Sequence, residues 1–192
     1  MMFKDLVRAN RSYRRFDGTH RIDAALLRDL VGLARFTPSA ANRQPLKYVL
    51  SCTPEGNARV FETLAWAAYL PEWKGPPEPE RPTAYVVVLL DRSITQAADI
   101  DVGIAAQTIL LGATERGLGG CMFGSIRRED LARRLDLSES LAIALVIALG
   151  RPVESVTLDD LAPGGAVKYW REPDGTHHVP KRSLDELVLK TI

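Results

Sequence analysis

Cysteine, histidine and surplus charge are scarce in this sequence, and each scarcity removes a class of function. The two cysteines, Cys52 and Cys121, stand 69 positions apart and form no CxxC pair. They outline neither a zinc site nor a disulfide framework, and read as small, reduced, buried apolar side chains. Of three histidines, His177 and His178 are adjacent and His20 is remote; neighbours on a helix or strand point apart, so no metal site is expected. Twenty-five basic residues against 24 acidic ones leave a net charge of +1, without the basic excess of a nucleic-acid binder. The longest apolar run, Leu141 to Leu149, has nine residues, where a bilayer span takes about 20. The start, MMFKDLVRAN, carries charges where an export signal would be apolar, which predicts a cytoplasmic protein. Missing too are a GxGxxG turn, a GxxxxGK loop and a GxSxG elbow, so dinucleotide-fold, P-loop and serine-hydrolase chemistry find no support.

What remains is an ordinary globular composition, 46% hydrophobic and 26% charged over 192 residues, which fits one domain. Apolar spacing predicts a short helix at Phe3, Leu6 and Val7. A second, capped by Asp23, runs through Leu26, Leu27, Leu30, Val31 and Ala34 until Pro38 stops it, and a third takes in Val60, Leu64, Ala67 and Ala68. Apolar runs at Tyr48–Cys52, Tyr85–Leu90 and Leu141–Leu149 predict buried strands, the last ended by Gly150 and Pro152. Strands interleaved irregularly with helices point to an α+β fold.

The most telling helix is predicted from Asp99 to Gly117. No charged residue lies between Val102 and Thr114, and apolar side chains cover every face. Such a helix must be buried all round, either at the centre of the core or beneath a second copy of the chain; the second reading is favoured, because obligate dimer interfaces resemble a core cut in half. Asp99 and Asp101 read as capping residues at its start. Residues 71–82, PEWKGPPEPERP, hold five of the 12 prolines and can form neither helix nor inner strand. They make a lid or rim, or a plain solvent loop.

Three polar blocks could carry chemistry. RSYRRF gathers Arg11, Ser12 and Arg14, donors suited to a phosphate or paired carbonyls, with a solvated basic turn as the plainer reading. PSAANRQP sets Asn42 and Gln44 between Pro38 and Pro45; two amides can read a heterocycle edge offering both donors and acceptors, and a polar turn would look the same. GLGGCMFGS, residues 117–125, follows a helix, and its glycines permit close approach of backbone amides to a flat ligand.

Together these blocks resemble the FMN-dependent nitroreductases. RSYRRF is similar to that family's RRSxRxF signature, PSAANRQP to PSxxNxQPW, and ERGLGGCMFGSI to RGLGxCWIGGF. IALGRPVE and VPKRSLDELV are similar to the family's ALGxPxE and R(K/R)PLEEVV ending. The resemblance implies one domain over 1–192: a mostly antiparallel sheet flanked by helices, an intertwined homodimer with FMN between protomers, and a tail, 151–192, free to wrap the partner. It implies that Arg11, Ser12 and Arg14 bind the FMN phosphate and pyrimidine edge, and that Pro38, Ser39, Asn42 and Gln44 come from the other chain. Gly124 and Ser125 are then expected near flavin N5, and Lys181 with Arg182 at the phosphate. Asn10 replaces a common arginine, Leu46 the tryptophan after QP, and Ser125 a glycine. The implied reaction carries hydride from NADH or NADPH through FMN to a nitroaromatic, quinone or related acceptor by a ping-pong scheme, with no side chain as catalytic acid or base. Trp66, Tyr69 and Trp73 are expected to roof the substrate pocket, with ordinary aromatic packing as the alternative. Relatives with dehalogenating or flavin-fragmenting chemistry, and a non-catalytic flavin-binding dimer, are the competing readings.

Overall fold

The computed structural model describes residues 1–192. After a short exposed helix α1 (Phe3–Ala9) comes α2 (Ala24–Ala34), started by Asp23, whose carboxylate accepts the Leu26 amide at 2.8 Å. Strand β1 (Leu46–Ser51) leads to α3 (Pro54–Phe61), where Thr53 caps and Pro54 presets the first turn. Strand β2 (Ala84–Asp91), the long helix α4 (Asp99–Glu115), β3 (Gly119–Phe123), α5 (Arg128–Arg134) and β4 (Leu141–Gly150) complete the main body. The strands form one antiparallel sheet in the order β1-β2-β4-β3.

Alternation along the sheet divides two cores. Ala84, Val86 and Val88 of β2, with Ile147 and Leu149 of β4, face α2 and α4. Tyr85, Val87 and Leu89, with Val146 and Ala148, face Val60 of α3, Leu131 of α5, Trp66 and Phe123. Both faces are covered, which is why β2 reads as an unbroken apolar run. No helix is long and apolar enough to cross a membrane.

One expectation changes, and two stretches that the sequence left open gain definite structure. The third helix lies upstream of its predicted register: it ends at Phe61, the Thr63 hydroxyl turns back to the Val60 carbonyl at 2.7 Å, and Ala67 takes a positive φ of 37°. The glycine-rich stretch, to which the sequence assigned no element, is largely strand β3. A side chain at Gly120 would lie 2.4 Å from the Ala148 carbonyl and 2.6 Å from Leu110, so glycine there serves packing against β4 and α4. The proline-rich stretch contains one 3-10 turn, Glu78–Glu80, and is tied down: Arg15 makes a two-pronged ion pair with Glu80 at 2.6 and 2.7 Å, and the amides of Phe16 and Gly18 donate to Glu80 and Pro79.

Beyond residue 151 the chain folds back on itself as a second sheet, with β5 (Val156–Asp160), β6 (Trp170–Arg171) and β7 (His177–Lys181) in the order β5-β7-β6. A last turn, α6 (Leu184–Leu187), precedes an end that exposes Leu184, Leu187, Val188, Leu189 and Ile192.

Helix α4 is half covered. Ala105, Ala106, Ile109 and Ala113 pack into the first core, while Ile100 is 78% exposed and Gly103 and Gln107 are open on the other side. Residues 100, 103, 104, 107 and 111 form one stripe at helical spacing: Ile100 and Gly103 are exposed, Ile104 and Leu111 half-buried, and Gln107 among them reaches Asn10 at 3.1 Å.

Candidate functional site

A pocket of about 380 Å³ lies between the first polar block, the second half of α4 and the C-terminal sheet. Arg11, Ser12, Arg14 and Lys181 line it together, although 167 positions separate Ser12 from Val179, another of its lining residues. The block is held as an extended segment against β3: Ser12 bridges Gly120, and the Tyr13 amide donates to the Gly120 carbonyl at 3.0 Å. The buried carboxylate of Glu154 accepts the amides of Arg14 and Arg15 and pairs with Arg171 at 3.1 Å. Its charge therefore goes to the backbone of the block and leaves the side chains free.

Three cations face this pocket, and none of its 13 lining residues is a carboxylate. Arg11 donates to the Val7 carbonyl at 2.8 Å, its Nε is buried without a partner, and desolvation lowers its pKa. Arg14 and Lys181 form no ion pair at 4 Å or less. Burial, then the charges of Arg14, Arg171 and His178, push His177 down to about 4, so its ring is neutral at pH 7. Asn10 does other work: buried, it donates to Thr114 at 3.0 Å and accepts from Gln107 at 3.1 Å, pinning the end of α1 to α4.

The second polar block lines a different pocket of about 740 Å³, at the start of α4. Pro38, Ser39 and Gln44 border it; Asn42 is exposed beside it. Asp101 is not a cap, as Ala98 occupies the cap position without a side-chain bond. Instead its carboxylate, 5% exposed, accepts the Ser39 hydroxyl at 2.5 Å and the Ala40 amide at 3.3 Å, while Ser39 Oγ accepts the Gln44 amide at 2.9 Å. That network holds three non-glycine residues, Ala41, Asn42 and Gln44, at φ near +50°.

Gly124 and Ser125 border neither pocket. They follow β3 two residues past Met122, which does line the first. Their carbonyls are taken, by Arg128 and by the Ala65 amide, each at 3.0 Å. Arg182 is turned away from Lys181 and pairs with Glu186. Trp66 is buried among Phe61, Trp73 and Phe123, and Trp73 lies under the Arg171 guanidinium at 4.7 Å. Of the three aromatics only Tyr69 approaches the cationic pocket, its ring tilted at 56° against that of Tyr169 in the wall, 4.9 Å between centroids. Tyr169, His177 and Gln107 are pocket residues that no motif announced.

A model of the nitroreductase family matches residues 7–151, three quarters of the chain. The chain belongs to the nitroreductase family. Among curated relatives of this nitroreductase is YodC of Bacillus subtilis (strain 168), an NAD(P)H nitroreductase by name, 21% identical over 86% of this chain and 97% of that one. Among solved structures, the nitroreductase family protein of Streptococcus pneumoniae TIGR4 has a TM-score of 0.71 at 16% identity, covering 99% of this chain and all of that one. A structure in complex with FMN from Exiguobacterium sibiricum 255-15 has a TM-score of 0.66 at 15% identity, covering 80% and 89%. At these identities the structural likeness establishes the fold.

Proposed function

We propose that this nitroreductase is an NAD(P)H-dependent flavin oxidoreductase whose FMN sites are each built from two copies of the chain. The observation that carries the reading is the pocket with three cations and no carboxylate, which is set up for a phosphate-bearing ligand. Arg11, Ser12, Arg14 and Lys181 fit the phosphate and pyrimidine edge of FMN, and the buried, unpartnered Nε of Arg11 is a donor in want of such an acceptor.

The two polar blocks sit at opposite ends of one helix. Asn10 is tied to Leu110, and Ser39 to Asp101; nine residues of helix separate these anchors by about 14 Å. Two copies of α4 packed antiparallel through the open stripe, crossing at the level of residue 105, set Asp101 of one beside Leu110 of the other. Pro38, Ser39, Asn42 and Gln44 of one protomer then face Arg11 and Arg14 of its partner. Gly103, with no neighbour within 4 Å of a built Cβ, lets the helices approach closely. The dimer thus covers the open stripe and completes the site in one step.

Bound there, FMN would supply the redox chemistry, accepting hydride from NADH or NADPH and passing reducing equivalents to a nitroaromatic, quinone or related small acceptor. The chain's residues supply position and field. Arg14 presents a fixed positive charge where negative charge develops, a contribution from preorganised electrostatics. The amides of Asn42 and Gln44 offer donors and acceptors to a heterocycle edge. The lining holds no carboxylate and His177 Nε2 faces Arg14 rather than the open pocket, an arrangement that suits a ping-pong scheme in which nicotinamide leaves before the acceptor enters.

Purified protein is expected to be yellow or to take up added FMN, and anaerobic stopped-flow mixing with NADH or NADPH to bleach the flavin bands. A protein that ignores FMN, or a bound flavin that neither nucleotide reduces, would refute the proposal.

A further inference from the structure

The aromatic wall of the cationic pocket lies past residue 151, outside the stretch that the family model matches. It consists of Tyr169, just before β6, and His177, which opens β7. Arg14 reaches both. Its guanidinium lies over the Tyr169 ring, 5.1 Å from the centroid, and Nη1 is 3.4 Å from His177 Nε2 and from the Ser12 carbonyl. Every group holding the Arg14 side chain is uncharged, while Glu154, the carboxylate beside it, is used up by backbone amides and by Arg171.

His177 is fixed for this task. It is 1% exposed, its amide donates to the Ser155 carbonyl at 2.9 Å, and its ring lies 5.1 Å from Tyr169. Arginine can only donate, so Nε2 must be the accepting nitrogen, and the ring proton sits on Nδ1, which is buried without a partner. A buried polar atom left unsatisfied is costly, and here it accompanies a ring aimed at the arginine.

We propose that Tyr169 and His177 are positioning residues that hold Arg14 in the pocket by neutral contacts, leaving its full charge for the phosphate-bearing cofactor. A carboxylate in their place would hold the arginine equally well but cancel the charge the ligand needs. The inference rests on the FMN reading above.

Cofactor-free protein is titrated with FMN, and binding is followed by quenching of flavin fluorescence. Tyr169→Leu is expected to weaken binding about tenfold, the scale of a partly desolvated cation–π contact. Tyr169→Phe, which keeps the ring, should bind within twofold of wild type, and Tyr169→Glu, which adds a counter-charge, should lose more than Tyr169→Leu. If Tyr169→Leu does not fold, His177→Gln and His177→Phe carry the test: glutamine keeps an acceptor and should retain binding within threefold, whereas phenylalanine should lose about tenfold. Leucine binding as well as tyrosine, phenylalanine losing as much as leucine at position 169, or Gln and Phe equivalent at 177 would overturn the assignment. A wild-type protein that binds no FMN would overturn both this inference and the reading beneath it.

Discussion

Replacing Asp101 with alanine tests how the second polar block is held. Ala41, Asn42 and Gln44 sit in left-handed backbone, at a cost of about 1 kcal/mol each for residues with a Cβ, so the turn stores about 3 kcal/mol. Against this, Asp101 contributes a short charge-assisted bond from Ser39 and a longer one from Ala40, about 2–3 kcal/mol. A favourable interaction with the start of α4 adds about 0.5 kcal/mol. The two sums nearly balance, so removing the carboxylate should release the turn and recover part of its strain. The net loss of global stability is expected at about 2 kcal/mol, with Asp101→Asn, which keeps one acceptor, losing about 1 kcal/mol. Urea unfolding at one fixed protomer concentration measures the first, since the stability of the proposed dimer would depend on concentration. Amide hydrogen exchange measures the release: the Gln44 N–H, now held by Ser39 Oγ, should exchange at least tenfold faster, about 1.4 kcal/mol of lost protection. Unchanged Gln44 protection together with stability within about 0.5 kcal/mol of wild type would refute the reasoning.

Three further expectations follow from the same geometry. His177 stays neutral in the fold to about pH 4 against an ordinary 6.5, so its contribution is complete above pH 6.5 and is lost as pH falls from there towards 4. By linkage this amounts to at most about 2 kcal/mol at pH 5, and His177→Phe should lessen the acid loss of stability in paired urea melts at pH 7 and 5; parallel losses would show the ring is not the cause. Gly120→Ala should cost more than about 3 kcal/mol, as its Cβ meets a strand carbonyl at 2.4 Å, while Gly124→Ala, with open space around it, should stay within about 0.5 kcal/mol; thermal melts of both would expose a reversed order. Gly103→Glu, on the open stripe of α4, should leave a monomer in sedimentation velocity and abolish FMN binding, and a dimer that persists would remove α4 from the interface.

The large features of this fold were legible because they depend on local pattern. The Asp23 cap, the run in β2 and the all-round apolar character of α4 are written in spacings of two to four residues. The first block was legible as a cluster of donors and Lys181 by resemblance alone, and the structure brings them into one pocket. What escaped depends on distant partners. Strand β3 shows no strand pattern in sequence because its glycines answer to Leu110 and Ala148. Asp101 looks like a cap because Ser39, which it holds, lies 62 positions away. Tyr169 stands just before a strand of two residues and His177 opens one of five, too short for any periodicity to mark them.

In the proposed two-fold dimer the two polar blocks of one chain belong to different cavities, so defects carried by different chains can meet in one of them. A subunit lacking Arg14 joined to one lacking Gln44 would concentrate both defects in a single cavity and leave its twin whole. Two inactive preparations, dissociated and allowed to exchange, would regain as much as half the native capacity of every hybrid formed, an arithmetic open only to an enzyme whose pockets are shared across a symmetry axis.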